Sequence, residues 1–302
     1  MSESTPLVTV IMATYNRAGT IERAVESVLN QTYTNLELLI IDDGSMDNTL
    51  QILRKYTDSR IRIIKHEHNQ GVTAAKNTGL RNLKGEWFTT FDSDDEMMPA
   101  AIETMLAVTH TVNPGISVVQ CNTFNHASQS LSGTGLEKDG YIDSDIIASK
   151  CKGDFWGLLK SSLLNGNLFN EYLSGYESTL WFKLYSKATI FYIHKPLSII
   201  YTEGSDRVSV KKFNLEREIR HYKNLIIETT YLEVIKKNKP WEFNVISRNG
   251  VLLMLASGNK PIAMQYYEML NNSDRKLLIK TAMQIPMLAR LYVYYRKFKT
   301  LR

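Results

Sequence analysis

The first hundred residues alternate between two hydrophobic periods, and that alternation restricts the fold more than any other feature of the chain. Leu7-Val8-Thr9-Val10-Ile11-Met12-Ala13 is a β-branched run of strand length. A run with so few polar positions suits a strand buried on both faces. Residues 19–30 then place Ile21, Ala24, Val25, Val28 and Leu29 at helical spacing. Residues 36–41, 60–65 and 87–91 are three further strand-length segments, separated by helical patterns over 49–56 and 71–83. Strand–helix alternation of this kind builds a parallel sheet wrapped by helices.

The acids sit where such a sheet binds ligands. Leu36-Glu37-Leu38-Leu39-Ile40-Ile41 runs straight into Asp42-Asp43-Gly44-Ser45, and Trp87-Phe88-Thr89-Thr90-Phe91 into Asp92-Ser93-Asp94-Asp95. A buried strand cannot carry these carboxylates, but its exposed carboxyl end can. Open α/β sheets bind ligands in the crevice outside those ends, so both sets are expected to converge in one crevice. Carboxylates one residue apart there form a hard oxygen site for Mg²⁺ or Mn²⁺, a metal that holds phosphate. Read alone, Asp42 and Asp43 also fit a turn before a helix, and Asp47 fits its cap.

With 302 residues and 43% hydrophobic content, the chain suits one large domain or one domain plus an extension. Residues 116–195 read as mixed α/β, with a strand at Val118-Val119-Gln120-Cys121, a polar loop over 128–140 and a helix over 176–184. A strand follows over 196–201. From Phe213 onward helical patterns dominate, broken at Lys239-Pro240 and over 258–261, which places a boundary near residue 212. The expected organisation is thus a domain over 1–212, divided into 1–115 and 116–212, and a helical region over 213–302.

The formal charge of +5 is too mild for a wholesale nucleic-acid binder. Two cysteines, Cys121 and Cys151, are too few for a disulfide framework and point to the cytoplasm. The first six residues are short, polar and acidic, unlike a signal peptide, and no run of 18 apolar residues occurs. Residues 285–302 interleave Ile285, Leu288, Leu291, Tyr292 and Phe298 with Arg290, Arg296, Lys297 and Lys299. That pattern fits an interfacial helix on an anionic membrane, hence a peripheral contact at the inner face of the cell membrane. It equally fits a helix packed on the catalytic domain with a solvated basic face.

Five segments resemble, in order, the motifs of the inverting glycosyltransferases of family 2, which have the GT-A fold: a Rossmann-like, mostly parallel central sheet flanked by helices. They are Val10-Ile11-Met12-Ala13-Thr14-Tyr15-Asn16, Ser27-Val28-Leu29-Asn30-Gln31-Thr32-Tyr33, Ile40-Ile41-Asp42-Asp43-Gly44-Ser45, Asn69-Gln70-Gly71-Val72-Thr73-Ala74-Ala75-Lys76-Asn77 and Phe91-Asp92-Ser93-Asp94-Asp95. The last is similar to the family's DxD metal motif. Downstream, Gly175-Tyr176-Glu177-Ser178-Thr179-Leu180-Trp181 resembles its acceptor-side helix, with Tyr-Glu where the family has Glu-Asp. The resemblance covers about two thirds of the chain and fades after Val210.

The resemblance implies a nucleotide-sugar site, with UDP-sugar the expected donor. Asp43 is implied to accept from the uracil N3–H, and Tyr15 to pack on the base or ribose. Ala13 and Thr14 bring backbone to the nucleotide, Asp92 and Ser93 lie by the ribose, and Lys76 lies by the phosphates. Asp94 is implied to hold Mn²⁺ or Mg²⁺, and Glu177 to be the general base on a hydroxyl of a glycan or lipid-linked acceptor. The family's Tyr-Arg-x-His stretch is replaced by residues 201–209, where Arg207 and Ser205 offer a phosphate contact instead. Trp156 and Trp181 fit either sugar stacking or core packing. Two rival functions are weighed. A sugar-nucleotide nucleotidyltransferase normally opens with a Gly-rich basic loop, which Thr14-Tyr15-Asn16-Arg17 is not. A non-catalytic nucleotide-binding module is favoured only by the two motif departures. No G-x-G-x-x-G follows the first strand, which disfavours a dehydrogenase.

Overall fold

The computed structural model describes residues 5–202 and 214–270, together with 280 and 283. The elements in chain order begin with β1 (Val8–Thr14), α1 (Ile21–Leu29), β2 (Leu36–Asp42), α2 (Thr49–Leu53), β3 (Ile61–Lys65), α3 (Val72–Asn82) and β4 (Trp87–Thr90). There follow β5 (Glu96–Met97), α4 (Ala101–Thr111), β6 (Val118–Asn125), β7 (Ser130–Leu131), β8 (Gly140–Ile142), α5 (Ser144–Lys150) and β9 (Phe155–Lys160). Then come α6 (Ser178–Tyr185), β10 (Ile190–Ile200) and the C-terminal helices α7 (Leu215–Leu225), α8 (Thr229–Asn238), α9 (Pro240–Ala256) and α10 (Lys260–Glu268). The chain forms two compact units, one of Met1–Glu171 with Lys183–Glu203, the other of Tyr172–Phe182 with Gly204–Arg302.

One mixed, mostly parallel sheet organises the first unit, in the order β3-β2-β1-β4-β9-β6-β10-β5, with β7 on β6 and β8 on β10. The β3-β2-β1-β4 half is wholly parallel. β9 then runs antiparallel to both β4 and β6, and β6 pairs β10 in parallel. The strands and helices expected over the first hundred residues all form, with ends displaced by three residues or fewer. Asp47, expected to cap α2, stands one residue before the N-cap Asn48, and its Oδ1 accepts the Thr49 N–H at 2.9 Å.

Two later segments differ from the sequence reading. Residues 128–140 were expected to be loop, but Ser130 and Leu131 return as β7 onto β6 after a turn at Gln129, where φ is 52°. The strand expected at 196–201 is the end of β10, which starts at Ile190. Pro196 hides this continuity: it lacks an N–H for the ladder, and the register with β6 shifts on both sides of it.

The core explains the strand patterning. Val8, Val10 and Met12 on one face of β1 join Ile21, Ala24, Val25 and Val28 of α1 and Ile102 and Met105 of α4 in one buried cluster. On the other face α3 packs so closely that a Cβ at Gly79 would lie 2.2 Å from Ile11 Cγ2. At the carboxyl edge Gly44 has φ +74°, and a Cβ there would lie 2.8 Å from the His68 carbonyl carbon. Glycine is thus required at 44 both for its left-handed backbone and for the close approach of the next loop.

The second unit has its own core, including Tyr222, Leu225, Tyr231, Leu232, Phe243, Val251 and Tyr266. The Tyr266 hydroxyl donates to the Tyr222 carbonyl at 2.8 Å, and a Cβ at Gly250 would meet the Tyr266 ring at 2.4 Å. His221 is buried edge-on to Tyr176, ring centroids 4.3 Å apart, and its Nε2 has no hydrogen-bond partner. Burial, helped by the Arg217 charge, lowers its pKa from 6.5 to about 4. Among the described residues no helix is long and apolar enough to cross a membrane.

Two expectations follow from this packing. Gly44→Ala should cost about 1–3 kcal/mol, read as a lower urea midpoint, whereas Gly19→Ala, where a Cβ meets nothing within 4 Å, should not. His221 is neutral in the fold, so between pH 6.5 and about 4 only the unfolded chain takes up its proton. Stability should therefore fall as the pH drops through that window. His221→Phe, which keeps the edge-on ring contact, should melt with a weaker acid dependence than the parent chain.

Candidate functional site

The site is built from the ends of three adjacent parallel strands. β1 lies between β2 and β4, with Thr14 opposite Asp42 and Ile11 opposite Thr90. The Asp43 N–H donates to the Thr14 carbonyl at 2.8 Å, and the Phe91 N–H to the Ile11 carbonyl at 2.9 Å. These bonds bring Asp42-Asp43 to one side of Thr14-Tyr15 and the Asp92 cluster to the other. The turn after β1 is fastened to the turn after β2. Asn16, at φ 52°, donates its N–H to Ser45 Oγ at 3.0 Å and accepts the Met46 N–H on Oδ1 at 2.9 Å. The Arg17 N–H donates to Thr49 Oγ1 at 2.7 Å.

Asp43 is buried, and its carboxylate is held by the loop after β3. Oδ1 accepts from His66 Nδ1 at 2.7 Å and from the Gln70 N–H at 2.9 Å, and Oδ2 accepts the Gly71 N–H at 2.8 Å. A carboxylate offers about four acceptor positions, so one on Oδ2 is left for a further donor such as a base N–H. Three neighbouring side-chain oxygens are buried with no protein partner: Thr14 Oγ1, Asp42 Oδ2 and Thr73 Oγ1. Buried polar atoms are normally paired, so these fit contacts to a polar ligand or to water.

The turn after β4 carries the charge. Lys76 of α3, only 14% exposed, places Nζ 3.2 Å from Oδ1 of Asp92, whose side chain is 59% exposed. The Lys76 ammonium holds the Asp92 carboxyl below its ordinary value. Arg17 lies 3.5 Å from Asp94 Oδ2. Arg23 of α1 donates to the Asp94 carbonyl, and its guanidinium lies 3.5 Å from the centroid of the Tyr201 ring. The Tyr201 N–H donates to Asp95 Oδ1 at 3.1 Å, and its hydroxyl to Glu96 at 2.9 Å. Burial, with the Asp92 charge added, pushes Asp95 up to about 7. Thr20 Oγ1 donates to the carbonyl of buried Ser93 at 3.1 Å, fixing the turn to the start of α1.

The structure thus gathers Ala13, Thr14, Tyr15, Asp43, Lys76, Asp92, Ser93 and Asp94 in the first unit, on the ends of β1, β2 and β4 and the start of α3. Glu177 belongs to the second unit, where its Oε1 accepts the Gly175 N–H at 3.3 Å and its carbonyl accepts from Leu180 and Trp181. Arg207 and residues 285–302 lie outside the described residues. Trp156 packs edge-on to Phe91, ring centroids 5.4 Å apart. Sequence reasoning missed His66, Arg23 and Tyr201, which support the acids through space, and gave Asp95 no separate role.

A divalent cation fits this donor set in one way. Among the described residues no group of three His, Cys, Asp or Glu side chains forms a protein cage. Asp94 offers a carboxylate that is 38% exposed at the edge of the crevice. A carboxylate supplemented by phosphate oxygens and water suits Mg²⁺ or Mn²⁺, so the cation would bind with a diphosphate rather than to the protein alone.

Comparison with known proteins agrees with this architecture. The family description "Glycosyl transferase family 2" matches residues 9–158. The chain is 35% identical over 213 residues to the GalNAc(5)-diNAcBac-PP-undecaprenol beta-1,3-glucosyltransferase of Campylobacter jejuni, covering 68% of each chain. It is 29% identical to the UDP-Glc:alpha-D-GlcNAc-diphosphoundecaprenol beta-1,3-glucosyltransferase of Escherichia coli, over 68% of this chain and 81% of the relative. The solved structure of S. aureus TarS residues 1–349 with UDP-GlcNAc superposes with a TM-score of 0.65 at 16% identity, over 92% of this chain and 91% of that one. The last likeness is one of fold: the mostly parallel sheet flanked by helices is the GT-A arrangement. With a relative this similar over two thirds of both chains, the protein belongs to glycosyl transferase family 2.

Proposed function

We propose that the protein transfers a sugar from a nucleoside-diphosphate donor, a UDP-sugar foremost, to a hydroxyl of a lipid-diphosphate-linked glycan, with inversion at the anomeric carbon. The observation that carries this reading is the pair of acid sets on either side of Thr14-Tyr15, one around Asp43 and one around Asp94. Two relatives support the acceptor class, since both are named for undecaprenol-diphosphate acceptors, and one names UDP-Glc as donor. Both are also named for a β linkage, and a β product from an α-linked nucleotide sugar requires one inversion. In this reading residues 1–115 hold the donor, 116–212 the acceptor, and 213–302 form a helical extension.

Each residue then has a task set by its chemistry. Asp43 accepts the imide N–H of the base on its remaining Oδ2 position, and Tyr15 packs on the base or ribose. Backbone at Ala13 and Thr14 approaches the nucleotide, and Asp92 and Ser93 contact the ribose. Lys76, already turned toward the cluster, neutralises phosphate charge as the diphosphate departs, and Arg207 adds a second phosphate contact. Asp94 would hold Mn²⁺ or Mg²⁺, which when bound supplies Lewis-acid stabilisation of the leaving diphosphate. Glu177 takes the proton of the attacking acceptor hydroxyl. Direct displacement inverts the centre, so one base suffices and no covalent intermediate forms. The interleaved apolar and basic residues of 285–302 place the enzyme against an anionic membrane on the cytoplasmic side, where a lipid-linked acceptor is found.

Three measurements test this reading. With Mn²⁺ present, donor hydrolysis should be seen for UDP-sugars above GDP- and dTDP-sugars; no hydrolysis of any nucleotide sugar would leave a binding module. Glu177→Gln should lower kcat by roughly 10²–10⁴-fold while nucleotide binding persists, and full retained transfer would place the base elsewhere. Truncation before Ile285 should leave the enzyme active on soluble acceptor but abolish co-sedimentation with anionic liposomes.

A further inference from the structure

His66 is buried just beyond β3, and its ring meets the site at Asp43. Its backbone N–H donates to the Asp42 carbonyl at 2.8 Å, which fixes the residue to the end of β2. Its ring spans two elements. Nδ1 lies 2.7 Å from Asp43 Oδ1, and Nε2 lies 2.9 Å from Thr78 Oγ1 on α3. An ionised carboxylate only accepts, so Nδ1 carries the proton in that bond. Thr78 Oγ1 also lies 3.2 Å from the Ala74 carbonyl one turn earlier in α3, so the far end of the ring is anchored to a helix.

We propose that His66 is a positioning residue for nucleobase selection: it braces the Asp43 carboxylate so that the remaining Oδ2 acceptor presents a fixed direction to the base. This rests on the reading of Asp43 as the base-contacting carboxylate. The torsion that turns a carboxylate about its Cβ–Cγ bond is broad and shallow. Two loop N–H groups and one rigid ring, all from the segment between β3 and α3, remove that freedom. The selection follows from donor and acceptor chemistry. Uracil presents an N3–H to a carboxylate lone pair. Cytosine presents a bare N3, which sets lone pair against lone pair and leaves a buried acceptor unpaired. Loss of the brace should therefore weaken the discrimination between these bases and leave the diphosphate contacts intact.

The experiment is calorimetric binding of UDP and of CDP to the full chain with Mn²⁺, for the parent, His66→Leu, His66→Asn and Thr78→Val. The parent should bind UDP more tightly than CDP. His66→Leu, which fills the ring's space without a donor, should lose about five- to tenfold in UDP affinity and leave CDP within about twofold. His66→Asn restores an N–H near the Nδ1 position and should recover most of the UDP preference. Thr78→Val, which keeps the ring but frees its far end, should narrow the preference less than His66→Leu. An equal loss for both nucleotides in His66→Leu would overturn the proposal in favour of a purely structural histidine, and so would an unchanged preference. Should His66→Leu not fold, the other two variants decide: Thr78→Val with the parent's preference overturns it. A parent chain that does not prefer UDP overturns the Asp43 reading and this proposal together. A parental preference that survives His66→Leu overturns this proposal alone.

Discussion

The site depends on one constraint: β1 is hydrogen-bonded in parallel on both sides, with β2 ending level with Thr14 and β4 three residues earlier, level with Ile11. Parallel pairing with β2 and β4 puts the carboxyl ends of three strands on one edge. β2 runs into Asp42-Asp43 and β4, through Phe91, into the Asp92 cluster, while β1 between them runs into Thr14-Tyr15. The buried cluster on β1, α1 and α4 fixes the register, because a slip of one residue would turn Val8, Val10 and Met12 away from it. Asp43 and Asp92 are therefore held apart by the width of one strand through packing that lies well below them.

The loops add what the strands cannot. Asp43 accepts from two consecutive backbone N–H groups, Gln70 and Gly71, and this requires the loop after β3 to fold back over the end of β2. That approach is possible because Gly44 has no Cβ to meet the His68–Asn69 backbone and because Gly71 takes φ +97°. The motif residues over 69–77 thus act twice. Their backbone holds the Asp43 carboxylate, and Lys76 on the helix they start reaches the Asp92 carboxylate. The two acid sets are linked through α3 as well as through β1.

How far the sequence disclosed this depends on the range of each interaction. The β1 to β4 half was legible because its strands and helices carry local hydrophobic periods and end at polar turns, two of them acidic. Its site residues were legible because they lie within a few residues of those strand ends. β10 was only half legible, because Pro196 breaks the pattern at a register shift that the ladder tolerates. β7 has two residues and is defined by its partner β6 rather than by its own composition. His66, Arg23 and Tyr201 were not legible for the same reason. His66 is 23 residues from Asp43, and Tyr201 is 106 from Asp95, so nothing in their own neighbourhoods marks them.

The four-residue turn Asp92-Ser93-Asp94-Asp95 shows why residue type alone underdetermines charge. Asp92 has the Lys76 ammonium beside it and its pKa is lowered. Asp95 is more deeply enclosed, takes one backbone N–H from Tyr201, and is opposed by Asp92, so its pKa rises to about 7. Three ionised carboxylates within four residues would repel one another at short range in a partly desolvated turn. The neighbours relieve this in two ways: Lys76, Arg17 and Arg23 bring positive charge from α3, the β1 turn and α1, and burial favours a proton on Asp95. Asp94, with Arg17 3.5 Å from its Oδ2 and its side chain 38% exposed, is the carboxylate of this turn placed where a hard cation could be shared with a diphosphate.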